Sequence, residues 1–312
     1  MKRFIIKVIV FFAIVGGIDV CVGFAGDYFQ SHAKGGETRK INDLAMVDKP
    51  DILIMGSSRA RHHYDAPFMS DSLGMNVYNA GVDGNGVVLA YGLLSLVLER
   101  YQPKLIVFDV EPSFDINKYD GDNGNKRYLT PIKPYYHHKG VEKVIKDIST
   151  EEWYKNHSGM IRFNTTIITK ALDHFRGGAI VDNGYAPMNG VYEGEVPIRS
   201  GTSPGIDFLK TQYVEDFIQM ARAKSVPIVF VASPKYGALS SEELQPAIDI
   251  CDKYNVAFLD FYADSFFMQQ KELFVEPMHL NSKGARIFTS MLLRSLNELS
   301  FININNYPNE RD

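Results

Sequence analysis

The sequence predicts an α/β protein built on a doubly wound parallel sheet of five strands. Five short apolar segments have the length and composition of buried strands, at residues 51–56, 75–81, 104–110, 227–233 and 256–261. Segments with helical spacing of apolar residues lie between most of them, and this alternation is typical of parallel sheets. An apolar N-terminal segment adds a helix outside the sheet.

The composition is that of a globular protein with a substantial core. Of 312 residues, 45% are hydrophobic and 22% are charged. The net charge of -4 lacks the basic surplus that nucleic-acid binding requires. Cys21 and Cys251 are too few for a disulfide framework or a zinc site. We therefore expect no nucleic-acid partner, no metal and no cofactor.

The N-terminal segment has the features of a membrane anchor. Residues 4–25 are mostly apolar and approach the ~20 residues that a helix needs to cross a bilayer. Lys2, Arg3 and Lys7 come before the uninterrupted apolar run from Val8 to Ile18. This order predicts a cytoplasmic N-terminus and an extracytoplasmic location, periplasm or cell exterior, for the remainder. A cleaved signal peptide is the alternative, although no convincing small-x-small cleavage site is present. Asp19 should lie near the outer headgroups or face a partner helix.

The remaining segments suggest a domain order. Helical patterns occupy 87–100, 208–226, 241–254 and 282–299, the last with Asn281 or Ser282 as its cap. About ninety residues, 114–203, break the alternation, and we predict an inserted helical cap beside the carboxyl ends of the strands, because a structureless loop of that length is uncommon. The predicted order is an anchor at 1–25, a polar stalk at 26–50, the sheet domain at 51–300 and a tail at 301–312.

Polar residues follow the predicted strands, at the edge where open parallel sheets bind ligands. A serine, glycine-rich turns, a histidine and a carboxylate all fall there, and these are the groups that acyl transfer through a serine ester requires. The candidates are Ser58, Arg59, Gly84, Asn85, Ser113, Glu276 and His279.

The chemistry assigns a role to each candidate. A serine hydroxyl becomes a nucleophile when His279 takes its proton, and Glu276, three residues earlier, would hold the second imidazole nitrogen from one turn away. The amides of Ser58 and Gly84 would bind the oxyanion, and Arg59 and Asn85 would contact substrate. Plainer interpretations stay open: Ser58 as a helix cap, Gly84 as a turn glycine and Arg59 as a solvated surface residue.

Three sequence blocks resemble one known superfamily. GSS at 56–58, NAGVDGNG at 79–86 and EPMHLNSKGA at 276–285 are similar to blocks I, II and V of the SGNH (GDSL-like) hydrolases. The resemblance implies a flavodoxin-like sheet, with Ser58 as nucleophile, Gly84 at the oxyanion, and Glu276 and His279 in place of the family's Asp-x-x-His pair. It covers roughly residues 51–115 and 205–300.

The chain departs from that family pattern in two places. Glutamate replaces aspartate at position 276. The block III asparagine, which the family uses in the oxyanion hole, is absent: that strand end is DVEPSFD, and Ser113, the nearest residue, would donate one hydrogen bond in its place. With these two departures, the sequence resembles the membrane-anchored branch of the superfamily that includes alginate O-acetyltransferases and DltD-type proteins. Those proteins act on envelope polymers outside the cytoplasmic membrane, often beside a membrane-bound O-acyltransferase.

These observations predict an extracytoplasmic serine esterase or O-acyltransferase, tethered through residues 4–25. The expected substrate is an acyl ester, acetyl in the first instance, of an envelope glycan or polysaccharide. The alternative is an SGNH-like scaffold or accessory subunit of weak or no activity that binds a polymer or a membrane-bound O-acyltransferase, and the missing asparagine favours it.

Overall fold

A computed structural model describes residues 1–46, 48–118, 124–177, 182–195 and 205–303. Parts of the predicted insertion and most of the predicted tail lie outside these residues. The described residues form two compact units. The N-terminal unit draws on Met1–Val47 and Asn125–Ile180, and the sheet unit draws on Asp48–Gly124 and Val181–Asp312.

The sheet unit contains a five-stranded parallel sheet of order β2-β1-β3-β4-β5 and a separate antiparallel pair, β6 with β7. This order is the flavodoxin-like one, so the predicted fold class is confirmed. The strands are β1 Ile52–Gly56, β2 Val77–Asn79, β3 Leu105–Asp109, β4 Ile228–Ala232, β5 Ala257–Asp260, β6 Phe274–Glu276 and β7 His279–Leu280.

Fourteen α-helices occupy the described residues, and most of those in the sheet unit cover the faces of the sheet. In chain order they are α1 Lys2–Ser31, α2 Gly36–Met46, α3 Ser58–His63, α4 Ala66–Leu73, α5 Val87–Arg100, α6 Pro112–Asp115, α7 Lys139–Ile148, α8 Thr150–Lys155, α9 Gly159–Arg162, α10 Ile167–Phe175, α11 Phe208–Ala223, α12 Gln245–Lys253, α13 Ser265–Met268 and α14 Ser282–Glu298. Asn281 caps α14 by accepting the amide of Gly284 at 3.0 Å.

The core of the sheet unit explains why its strands are continuous apolar runs. Every residue of β1, β3 and β4 is buried, as expected for strands covered on both faces. Residues of β1 pair in register with β3, so that Gly56 lies beside Asp109, and Asp109 lies beside Val231 of β4. The carboxyl ends of three strands therefore meet at one edge.

The N-terminal unit differs in outline from the predicted anchor, stalk and cap. Helix α1 continues past residue 25 to Ser31, and α2 occupies much of the segment predicted as a stalk. Described residues of 125–177 group with α1 and α2, whereas 182–195 group with the sheet. Helix α1 is long and apolar enough to cross a membrane, a test that a signal sequence near the N-terminus also passes.

Gly56 provides a test of the strand end that precedes Ser58. Its φ is +143°, and a Cβ there would lie 2.7 Å from the carbonyl oxygen of Asp109. We expect Gly56→Ala to lower the free energy of unfolding by about 3 kcal/mol, from backbone strain and the clash. Denaturant unfolding of the full chain in detergent, followed by circular dichroism, measures this loss.

Gly74→Ala is the matched control for that experiment. Gly74 also has a positive φ, +63°, but no atom lies within 4 Å of its added Cβ. Only the conformational strain of about 1 kcal/mol should appear. Equal losses in the two variants would contradict the close approach of β1 to β3.

Candidate active site

The two serines after β1 differ in what they do. Ser57 is buried and caps α3, its Oγ accepting the amide of Arg59 at 3.3 Å. Ser58 is the first residue of α3 and is partly exposed at the carboxyl edge of the sheet. The capping role considered for Ser58 therefore belongs to its neighbour, and the Ser58 hydroxyl is available to other groups.

Glu276 and His279 lie on the two strands of a tight hairpin. They face each other across the β6–β7 pair, with Pro277 and Met278 in the turn. Sequence analysis placed them one helical turn apart, which is wrong in its geometry: directly opposed residues of an antiparallel pair bring their side chains to the same face. The hairpin still places the side chains of Glu276 and His279 next to each other, as the sequence predicted.

The structure brings Ser58, His279 and Glu276 into one hydrogen-bonded chain. The Ser58 Oγ lies 2.8 Å from the His279 Nε2, and the His279 Nδ1 bonds the Glu276 Oε1. An N–H on Nδ1 facing the carboxylate leaves Nε2 free to accept the serine proton. This is the order of contacts that activates a serine nucleophile.

Glu276 is held in its ionised form. Burial alone raises the pKa of this carboxyl, but the hydrogen bond from His279 and the amide of Met278, which donates to Oε2 at 3.0 Å, outweigh it, so the pKa is lowered. A carboxylate that stays ionised at neutral pH can orient the imidazole and stabilise the imidazolium that forms when a proton arrives.

Gly84 lies in a loop that is clamped to α3. Its φ is +67°, which favours glycine. The carboxylate of the preceding Asp83 accepts the Arg61 Nη1 at 3.0 Å and lies 3.3 Å from the His62 Nε2. Asn85 is predicted to contact substrate. In the structure its Nδ2 donates to the Asp83 carbonyl at 2.8 Å, a hydrogen bond within the loop that contains Gly84.

Ser113 is exposed in the first turn of α6. Its amide donates to the Glu111 Oε1 at 3.3 Å, and its carbonyl accepts the Lys210 Nζ at 2.9 Å. These contacts fix the backbone of α6. The oxyanion roles of Ser113 and Gly84 stay predictions.

The plainer interpretation of Arg59 as a solvated surface residue is wrong, because its side chain is only 1% exposed. Its role as a substrate contact stays a prediction. Its Nη1 forms an ion pair with the Glu111 Oε2 at 2.8 Å, its Nε donates to the Ser233 Oγ at 3.2 Å, and the guanidinium lies over the Tyr262 ring. Helix α3 directs this side chain inward, so Arg59 joins the ends of β1, β3 and β4.

His63 is a positioning residue that sequence analysis missed. Its Nε2 accepts the amide of Leu280 at 3.0 Å and its Nδ1 donates to the Ser233 Oγ at 2.9 Å. Burial, with the nearby charge of Arg59, holds the pKa of His63 well below its usual range, so the ring is neutral. It thus ties the strand of His279 to α3. The only signal in the sequence is its place beside a second histidine in RHHY, residues 61–64.

A strap without regular secondary structure, residues 185–192, connects α3 with the hairpin and with α14. The amide of Ala186 donates to the Arg61 carbonyl at 3.1 Å, the amide of Tyr192 donates to the Phe274 carbonyl at 2.6 Å, and the amide of Ser282 donates to the Met188 carbonyl at 2.7 Å. These contacts place the strap along the edge that carries Ser58 and His279. No periodicity or motif predicts such a segment, because it has no regular secondary structure and its partners are distant in sequence.

Comparison with solved structures finds proteins of low sequence identity and low structural similarity to this chain. A Bacteroides fragilis NCTC 9343 protein provisionally described as an acylhydrolase is 11% identical, with a TM-score of 0.41, over 84% of this chain and 95% of its own. A Streptococcus pneumonia protein provisionally described as a platelet activating factor is 13% identical, with a TM-score of 0.43, over 92% of this chain and 98% of its own. No protein-family model and no curated protein matches the chain. The fold assignment rests on the strand order given above.

The Arg59–Glu111 pair should contribute through charge compensation. We expect Glu111→Gln to lower the free energy of unfolding by about 3–5 kcal/mol, because it leaves a buried guanidinium without its carboxylate. Adding Arg59→Met should restore most of that loss, since the uncompensated charge is then gone. Denaturant unfolding of the full chain in detergent measures both variants.

The exposed Lys253–Glu215 pair is the control in the same unit. Lys253→Met should change the stability by less than about 1 kcal/mol. A Glu111→Gln loss no larger than that of Lys253→Met, or no recovery in the double variant, would contradict this account.

Proposed function

We propose that this chain is a membrane-anchored serine esterase or O-acyltransferase of SGNH type, acting outside the cytoplasmic membrane on acyl esters of envelope glycans. The observation that carries the proposal is the hydrogen-bonded chain from Ser58 through His279 to Glu276, with 2.8 Å between the Ser58 Oγ and the His279 Nε2. Acetyl is the acyl group we expect.

The geometry supports a two-step acyl transfer. His279 takes the Ser58 proton as Oγ attacks the ester carbonyl, and Glu276 stabilises the imidazolium. His279 then returns the proton to the departing alcohol, which leaves an acyl group on Ser58. In the second step His279 takes a proton from the acceptor, water or a sugar hydroxyl, as the acceptor oxygen attacks the acyl-serine carbonyl. His279 then gives that proton to the departing Ser58 Oγ, and the acyl group leaves on the acceptor.

The oxyanion requires donors near Ser58. The amides of Ser58 and Gly84 are our candidates, since both follow the ends of neighbouring strands and Gly84 permits close approach of a carbonyl to the backbone. Water as acceptor makes the protein an esterase, and a sugar hydroxyl makes it a transferase. The outcome depends on how well the occupied site excludes water.

The membrane setting is supported by α1, whose apolar side chains from Phe4 to Ile18 are largely exposed, and by the cations that precede them. A membrane-bound O-acyltransferase is the partner that the resemblance implies for such a protein.

A scaffold function is the second candidate, and one observation favours it. Where the family pattern places an asparagine, this chain has Ser113 on an exposed turn, and nearby Glu111 is committed to an ion pair with Arg59. A protein with weak oxyanion stabilisation would instead bind a polymer or a membrane-bound O-acyltransferase.

A fluorophosphonate probe distinguishes the two functions. We expect the probe to label Ser58, as located by peptide mass spectrometry, and Ser58→Ala to reduce hydrolysis of an aryl acetate at least about 1,000-fold. His279→Ala should abolish labelling, because the hydroxyl then lacks its base. Ser72→Ala, on α4, is the control and should retain both labelling and activity. A folded wild-type protein that stays unlabelled would favour the scaffold.

The contacts of Asp83 with α3 should affect the turnover number, kcat, because they hold the loop that carries Gly84. Asp83→Asn removes the carboxylate whose ion pair with Arg61 and contact with His62 hold the Gly84 loop. We expect kcat to fall about 10-fold with KM nearly unchanged, because the oxyanion contact strengthens only in the transition state.

Asp71→Asn, an exposed change on α4, is the control and should leave steady-state kinetics unaltered. A rise in KM at constant kcat in Asp83→Asn would assign the loop to substrate binding instead.

A further inference from the structure

Two helices that pack against α1 expose apolar side chains of their own. On α10, Ile168 and Phe175 are 71% and 68% exposed, and Leu172 lies between them at helical spacing, so the three share one face. On α9, Met160 and Ile161 are exposed as well. We call these five residues the α9–α10 patch.

Helix α9 contacts α1 through glycine. A Cβ on Gly159 would lie 2.4 Å from the Asp19 carbonyl oxygen and from Gly23, and a Cβ on Gly26 would lie 2.3 Å from the Phe163 ring. The backbones of the two helices therefore meet directly. This contact extends along α1 from Asp19 to Gly26.

Asp19 caps α9. Its Oδ1 accepts the Ser158 Oγ at 2.5 Å and the Met160 amide at 2.9 Å, and its Oδ2 accepts the Gly159 amide at 3.1 Å. The charged residue within the apolar segment thus faces a helix of its own chain. Because α1 supplies this cap and the glycine contacts, it is part of the folded unit, which supports a retained anchor over a cleaved signal peptide.

The depth of these contacts follows from helix geometry. A hydrocarbon layer of ~30 Å takes ~20 helical residues, so a span that begins at Phe4 ends at about residue 23. Helix α9 therefore meets α1 where the acyl chains give way to headgroups. Phe24 and Tyr28 are exposed on α1 at this level, as aromatic residues are at membrane interfaces.

Helix α10 lies beside the next part of α1. The His174 Nδ1 is 2.8 Å from the His32 carbonyl, the Phe175 and Phe29 rings are 5.5 Å apart, and the Lys170 Nζ bonds the buried Gln30. One face of α10 is therefore anchored to α1. Its apolar face is left outward, as in interfacial amphipathic helices. The residues of α1 beside it lie about 9–14 Å beyond the hydrocarbon edge estimated at residue 23, so contact with lipid requires side chains on the membrane-facing side of α10.

We propose that the α9–α10 patch inserts into the outer headgroup layer of a lipid bilayer, as a second membrane contact beside α1. Lipid is the occupant because the patch continues the exposed apolar surface of a helix that can cross a membrane, and none of the apolar window of α1 is buried within the described structure. The inference rests on the membrane placement of α1 proposed above. It adds that the N-terminal unit lies against the membrane surface.

Tryptophan fluorescence in vesicles tests the insertion. Trp153 is the only tryptophan, so Trp153→Phe provides a background for single tryptophans placed by Phe12→Trp, Met160→Trp, Phe175→Trp or Lys224→Trp. The full chain is reconstituted in phosphatidylcholine vesicles with lipid brominated near the headgroup end or near the terminus of the acyl chain. Aqueous iodide is the opposing quencher.

We expect the tryptophans at 160 and 175 to lose about half of their emission to lipid brominated near the headgroup end and to resist iodide. The tryptophan at 12 should respond most to bromine near the chain terminus. Lys224→Trp, an exposed position on the sheet unit, is the aqueous reference.

The possible outcomes distinguish a failure of patch insertion from a failure of the membrane placement of α1. If the tryptophan at 12 is quenched by lipid while those at 160 and 175 behave like the reference, the patch does not insert and the present inference is wrong. If the tryptophan at 12 is also quenched only by iodide, the membrane placement of α1 fails first, and the inference fails with it.

Discussion

The buried ion pair between Arg59 and Glu111 is the constraint on which the candidate site depends. A guanidinium that is removed from water needs a carboxylate and further acceptors, and here these come from the ends of β3 and β4. Because Arg59 follows Ser58 directly, satisfying this cation also sets where the first turn of α3 points. Ser58 and two members of the network beneath it, Arg59 and His63, therefore belong to the same short helix.

The network continues from there to the strand that carries His279. Ser233 accepts from both Arg59 and His63, and His63 in turn accepts the amide of Leu280, next to His279. Hydrogen bonds in such a dry environment are strong when every partner is present and costly when one is missing. The distance between Ser58 and His279 is thus determined by buried contacts as much as by the two side chains themselves.

The same principle explains a charged residue in the apolar N-terminal helix. Asp19 has three donors from α9, so its carboxylate is satisfied without water. These hydrogen bonds join α1 to α9, a helix that lies between β3 and β4 in sequence. In our proposal, the element that anchors the protein is also a structural part of the unit that touches the lipid surface.

The sequence by itself predicted the five strands, four of the helices of the sheet unit, the apolar N-terminal helix, and the three side chains Ser58, Glu276 and His279, which the structure brings together. Their catalytic roles stay predictions. Local periodicity predicts the elements, and short motifs at strand ends predict the three side chains, because both signals lie within a few adjacent residues. Only the tertiary structure decided that Arg59 is buried, that His63 and the strap hold the hairpin, and that Asp19 caps α9. Each of these depends on partners more than fifty residues away, and the pattern of residues around one position carries no information about which distant group will meet it once the chain has folded.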